Sequence, residues 1–263
     1  MAGRALMIAA LSVGGIGWAL PSFAQEVSIV KPVRGPSRYI VPASILPVGT
    51  GITSLNLRAN LVAPPAPSGP GLGGNAVSLS NHSAWSDLFQ LSTGITTSAA
   101  PPWQGRLDLA GKLGLMQEKL GSLASVAGIA RVALNVNANG VPSPAFTLGI
   151  PIEKTLSFAS MNRLTVTAYP NWGTDLVSPG AGLSPPTRFA LGLGGAVALS
   201  DTLALIADTS FVTGPTLLNE GSDLGVRFGL SPSVAFDLSV GLSASAPSGS
   251  RPISVGTGMS WFY

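Results

Sequence analysis

Between Val234 and Ser243 a large apolar residue stands at every second position: Val234, Phe236, Leu238, Val240 and Leu242. Between them lie Ala235, Asp237, Ser239, Gly241 and Ser243. A helix needs apolar residues three and four apart, and Asp237 and Gly241 break that spacing, so the segment is a strand with two unlike faces. The template recurs. Leu224, Val226, Phe228 and Leu230 alternate with Gly225, Arg227 and Gly229. Phe189, Leu191, Leu193, Val197 and Leu199 alternate with Arg188, Ala190, Gly192 and Ala196. Leu107, Leu109, Leu113 and Leu115 alternate with Arg106, Asp108, Lys112 and Gly114, and Leu55, Leu57 and Leu61 with Asn56, Arg58 and Asn60. Segments 202–213 and 124–136 follow it less cleanly, each placing an Ile on the small or polar face.

Alternation alone also suits a soluble sandwich, so the second face decides. A surface in bulk water carries many Lys and Glu, whereas here it is mostly Gly, Ala, Ser, Thr and Asn with an occasional Arg or Asp. Only 10% of residues are charged, against about a quarter in ordinary soluble domains. After residue 24 no apolar run reaches the ~18 residues that a membrane helix needs. High apolar content without such a helix points to a closed barrel, with the greasy face toward lipid and every backbone group paired inside the sheet. The expected fold is all-β: a single up-and-down antiparallel transmembrane β-barrel. The chain has no cysteine, which excludes disulfides and thiolate metal sites.

The first residues read as an export signal: Arg4 is the only charge before Glu26, Ala5 to Leu20 is apolar, and Ser22-Phe23-Ala24 suits cleavage after Ala24. Losing Arg4 lowers the formal net charge from +3 to +2, too small to suggest nucleic-acid binding. Residues 25–50 form a Pro-rich arm with Pro32, Pro36, Pro42 and Pro47, poorly suited to a central strand. The barrel is expected over 51–263, with a loop at Pro64 to Gly71. Ser200-Asp201-Thr202 and Ser231-Pro232-Ser233 read as tight turns, and Asn171 to Pro186 and Gly214 to Ser222 as longer loops. Short turns at one end and long loops at the other suit an outer-membrane barrel. Strands are expected to begin near residues 54, 86, 105, 124, 144, 155, 163, 187, 202, 223, 234 and 252, twelve in all. Reading 155–162 as a turn and leaving out 54–62 makes ten. Either number implies a narrow or plugged pore.

Counting back from Tyr263, the alternate residues are Trp261, Met259, Thr257, Val255 and Ile253. This resembles the terminal β-signal of bacterial outer-membrane barrels, which implies that Trp261, Phe262 and Tyr263 are recognised by the barrel assembly machinery. Tyr in place of the commoner Phe, and Thr257 among the apolar positions, depart from that pattern. In texture, Leu191 to Val212 and Asp223 to Ser243 resemble MetA-type barrels (phenol-degradation-associated), which are related to fatty-acid-transporter-like channels. That resemblance implies passage of small molecules, apolar ones among them.

With the apolar residues outward, Arg58, Arg106, Lys112, Arg131, Arg163, Arg188 and Arg227 point inward, as do Asp108, Asp208, Asp223 and Asp237. Seven basic residues against four acidic ones make a weakly cationic lumen that favours anions slightly. The same side chains could instead pair to stiffen the wall. His82, the one histidine, lies in Asn81-His82-Ser83 without a nearby acid at useful spacing, and reads as a surface or loop residue. Gly69 to Gly74 is a loop, since neither strand nor helix frames it as a phosphate cradle. Trp85, Trp103, Trp172, Trp261 and Tyr169 fall at strand ends, where interface belts sit. The leading expectation is a passive outer-membrane channel for small molecules, with membrane lipids as surroundings, no cofactor, no metal and no enzymatic activity. The alternative is a non-conducting structural or adhesion barrel acting through its loops, favoured by a plugged or fully ion-paired interior. Third comes a lipid enzyme depending on His82.

Overall fold

The structure, a computed structural model, describes residues 41–61, 75–98, 104–118, 124–136, 142–158, 162–175, 187–213, 217–243 and 253–263. The export signal, arm residues 25–40, the Pro64–Gly71 loop and Trp103 lie outside the described residues. Alternating sequence becomes β1 (Gly51–Asn60), β2 (Ala76–Ala84), β3 (Phe89–Ser98), β4 (Gly105–Met116), β5 (Ser125–Val136), β6 (Pro142–Gly149) and β7 (Ile152–Phe158). It continues as β8 (Asn162–Asp175), β9 (Thr187–Ala198), β10 (Leu203–Thr213), β11 (Leu217–Ser231), β12 (Val234–Ser243) and β13 (Ile253–Phe262). All pairings are antiparallel. β1 pairs with β13 and β4 with β5, so the sheet closes on itself and presents no edge.

β6 and β7 both lie between β5 and β8, and only Ile150 and Pro151 separate them. Their register runs on without a shift across these two residues, so they are one strand, and the barrel has twelve strands in up-and-down order. The expected number is right, but two misplacements offset one another. The starts expected near 144 and 155 belong to this one strand. A single start near 86 stood where β2 and β3 are separate, joined by a tight turn in which the Trp85 amide donates to the Phe89 carbonyl at 2.9 Å. β2 reads Ala-Val-Ser-Leu-Ser-Asn-His-Ser-Ala, with only Val77 and Leu79 as large outward residues, too few to display the alternation. Two loops are also shorter than expected. β8 runs on to Asp175, and β11 begins at Leu217, because Thr209 to Thr213 pair with Leu217 to Ser222 across a bulge.

The register carries one face continuously around the barrel. Ile52, His82, Gln90, Lys112, Ile129, Gly149, Asn171, Ala190, Val212 and their alternates share the inner face. On the outer face Leu57, Leu79, Ile95, Leu109, Val132, Leu148, Val166, Leu193, Leu205, Leu224, Leu238 and Val255 are all exposed. An apolar surface encircling the molecule is unsuited to water and suited to hydrocarbon. The two untidy isoleucines, Ile129 and Ile206, do point inward, so there the lumen is filled by bulk rather than lined by small groups.

The tight turns at Trp85–Leu88, Leu199–Thr202 and Pro232–Ser233 share one end of the barrel with Gly51 and Tyr263. Tyr263 closes the sheet there. Its amide donates to the Gly51 carbonyl at 3.1 Å and its carbonyl accepts from the Gly51 amide at 2.8 Å. Its ring covers Gly51, where any side chain would collide with it, and its hydroxyl accepts from Asn81 Nδ2 at 2.7 Å.

Candidate functional site

The alternation that sends leucines outward turns the charged residues inward, and the register puts all eleven expected lumen positions on the inner face. Four groupings result. Toward the long-loop end, Arg106 Nε and Arg131 Nε both donate to Asp108 Oδ1, at 2.9 and 2.8 Å. Two guanidiniums on one carboxylate leave a local surplus of positive charge, and both arginines are partly exposed.

A second group spans three strand-to-strand steps. Arg58 on β1 donates from Nε to Ser254 Oγ at 2.9 Å and from Nη2 to Asp223 on β11. The path crosses Gly241, where a Cβ would strike both Asp223 and Arg58. A glycine is needed there for this close approach. Asp208 stands directly opposite Asp223 in register.

The third group is self-contained. Arg227 donates from Nε and Nη2 to the two oxygens of Asp237, at 2.5 and 2.7 Å. This fork-to-fork geometry is the strong form of such a pair, and Arg227 is buried.

The fourth contains a stretch of chain that is not part of the wall. Lys112 Nζ donates to the main-chain carbonyls of Ser44, at 2.7 Å, and Pro42, at 3.2 Å. The Ile45 amide donates to Gln117 Oε1 at 3.2 Å, and the Leu46 amide to Gln90 Oε1 at 3.4 Å. Ile45 lies over Gly114, an inner-face glycine whose missing Cβ makes room for it. Residues 42–46 therefore lie along the inner wall of β3 and β4, in the half of the barrel nearest the tight turns. A turn sends them there: the Thr50 amide donates to the Pro47 carbonyl at 3.1 Å, and Gly49 between them has φ +75°. Glycine adopts that left-handed backbone without steric cost.

Of the other expected positions, Arg163 is exposed at the tight-turn end opposite Ala198, and position 188 lies opposite Gly173. Several inner-face residues were not expected. His82 is not a loop residue: it sits within β2, two residues from its end, facing inward, with Nδ1 2.7 Å from Ser92 Oγ. Tyr169 is not a rim aromatic but a buried inner-face residue of β8, beside Gly149. Trp172 and Trp261 do face outward near strand ends, and Trp85 is exposed in a tight turn. Glu153 and position 175 also fall on the inner face, opposite Thr167 and Ala145. The expected count of seven bases against four acids thus becomes seven against six among the described residues. Positive charge is a local property of the Arg106–Asp108–Arg131 group, not of the whole lumen. The alternation of Ile152 and Leu156 with Glu153 and Thr155 was the available signal for Glu153. Among the described residues no group of three or more His, Asp or Glu could hold a metal ion.

No protein-family model matches the sequence, and no curated protein matches it. Among solved structures the fold is similar to that of NanC porin, at 7% identity over 80% of this chain and 98% of that one, with a TM-score of 0.58. It is also similar to KdgM porin in complex with disordered oligogalacturonate, at 8% identity over 80% of this chain and 98% of the other, with a TM-score of 0.55. An outer-membrane channel from Pseudomonas putida F1 matches at 11% identity over 87% and 99% of the two chains, with a TM-score of 0.54. At such identities the likeness is one of fold.

Proposed function

We propose that this chain is a passive channel for small solutes in a bacterial outer membrane, delivered by its export signal and inserted through its Trp261-Phe262-Tyr263 terminus. The observation that carries this reading is a closed twelve-stranded barrel whose inner wall is lined by ionised side chains while its outer wall is apolar. The guanidiniums of Arg106 and Arg131 remain partly exposed to the lumen although both donate to Asp108. Those two, sharing Asp108, favour anions, and the acidic sugar polymer in the KdgM structure is one chemistry such a wall suits. Planar-bilayer recording on purified protein tests the proposal. Discrete conductance steps are expected, with a reversal potential in a KCl gradient displaced toward the anion. The absence of both conductance and liposome swelling would sink it.

One observation favours the alternative of a non-conducting barrel that works through its loops: residues 42–46 occupy part of the lumen. The two readings differ in whether that occupancy is permanent.

A further inference from the structure

We infer that residues 42–46 are a releasable strap that narrows this channel, with Lys112 as its latch and Gly49 as its pivot. The inference rests on the channel reading above. Three observations on the strap carry it. First, among the described residues, neutral main-chain groups of the strap meet wall side chains: two carbonyls accept from Lys112, and two amides donate to Gln90 and Gln117. Water can replace each of these. Release separates the Lys112 ammonium from two neutral carbonyls, whereas parting Arg227 from Asp237 separates two opposite charges. Second, the apolar part of the seat is small, consisting of Ala43, fully buried, and Ile45 over Gly114. Third, the segment is stiff with one soft joint. Pro42 and Pro47 restrict the backbone at its ends. Gly49, at φ +75° with nothing within 4 Å of where a Cβ would be, supplies the joint just before β1, and turning there parts its amide from the Ala84 carbonyl (3.2 Å) and Thr50 from the Pro47 carbonyl. A rotation there swings the strap away from β3 and β4 while β1, paired on both sides, stays in place.

The test uses the full chain, whose lack of cysteine makes an introduced thiol unique. Ala43→Cys is combined with Lys112→Met, which keeps the bulk and removes the donor, or with Gly49→Val, which strains the turn. Heat-modifiable gel migration first confirms a folded barrel in each. A maleimide should label the introduced thiol slowly in the Ala43→Cys chain and about tenfold faster once the latch is removed, on the scale of one charged hydrogen bond. Equal labelling rates overturn the latch. Conductance should be several-fold larger in both released variants than in the unmodified chain. Equal conductance in all three overturns the strap as a restriction and leaves the channel standing. Silence from all three, with labelling accelerated as expected, overturns the channel reading and the gate with it.

Discussion

The β3–β4 wall and the β11–β12 wall solve the same problem differently. Both carry a buried cation on the inner face, Lys112 on one and Arg227 on the other. Arg227 is satisfied by its own wall, through a carboxylate on the adjacent strand at a directly opposed register position. Lys112 is satisfied by a segment some seventy residues away that is not a strand at all. The first arrangement is fixed as soon as the hairpin forms. The second can be undone without breaking the barrel. Function that needs motion therefore belongs on the β3–β4 side, and rigidity on the other.

The sharpest test of that contrast is Asp237→Ala, which leaves the Arg227 charge buried and should cost about 3 kcal/mol of barrel stability. Urea unfolding in lipid vesicles measures it, with Lys112→Met alongside as the variant expected to leave the barrel transition nearly unmoved. Similar losses in the two would erase the distinction between the walls. Next in size are Leu238→Arg and Leu109→Arg, on the outer faces of the two walls. Each should cost about 2–4 kcal/mol, the same on both sides, because lipid does not sense what lies within the lumen. A large difference between them would mean that the strap stiffens the sheet through its thickness.

The smallest effect lies at the tight-turn rim beyond β4. There Lys154 Nζ stands 2.7 Å from Glu118 Oε1, and the Thr155 amide donates to Glu118 Oε2 at 2.9 Å. Burial alone would raise the Glu118 pKa, but these hydrogen bonds and the Lys154 charge outweigh it and hold the carboxyl below its ordinary value. A depressed folded pKa means stabilisation present above the ordinary carboxylate range and lost as pH falls through the folded value. Glu118→Gln should lower the melting temperature slightly at pH 7, and by less as the pH falls through the carboxylate range. A difference that persists undiminished at pH 3 would assign the effect to packing instead.

How much of this could be read from the amino acids alone depended on how local the cause was. Val234 to Ser243 reveals its two faces within ten residues, because lipid on one side and protein on the other act on each side chain independently. His82 was misplaced because its strand offers the membrane only Val77 and Leu79, and faintness of alternation looks the same as a loop. Glu153 and position 175 were missed for a related reason. The inward direction of position 175 follows from its pairing with β6, a register that no short window contains, and that of Glu153 shows only in the brief alternation from Ile152 to Leu156. The strap was least accessible. Nothing in Pro42 to Leu46 announces that its carbonyls complement a lysine on β4, and a proline-rich stretch reads simply as not a strand.

The interruption between β6 and β7 carries a mechanical consequence for the wall. Pro151 accepts from the Ala127 amide at 3.1 Å, and Pro170 accepts from the Ile150 amide at 3.0 Å. Neither proline can return the donation. One stitch is thus missing toward β5 and another toward β8, on opposite flanks of a single strand. Sideways breathing of the cylinder should concentrate there, and amide exchange around Ile150 is expected to be faster than in the β10–β12 wall at the same depth.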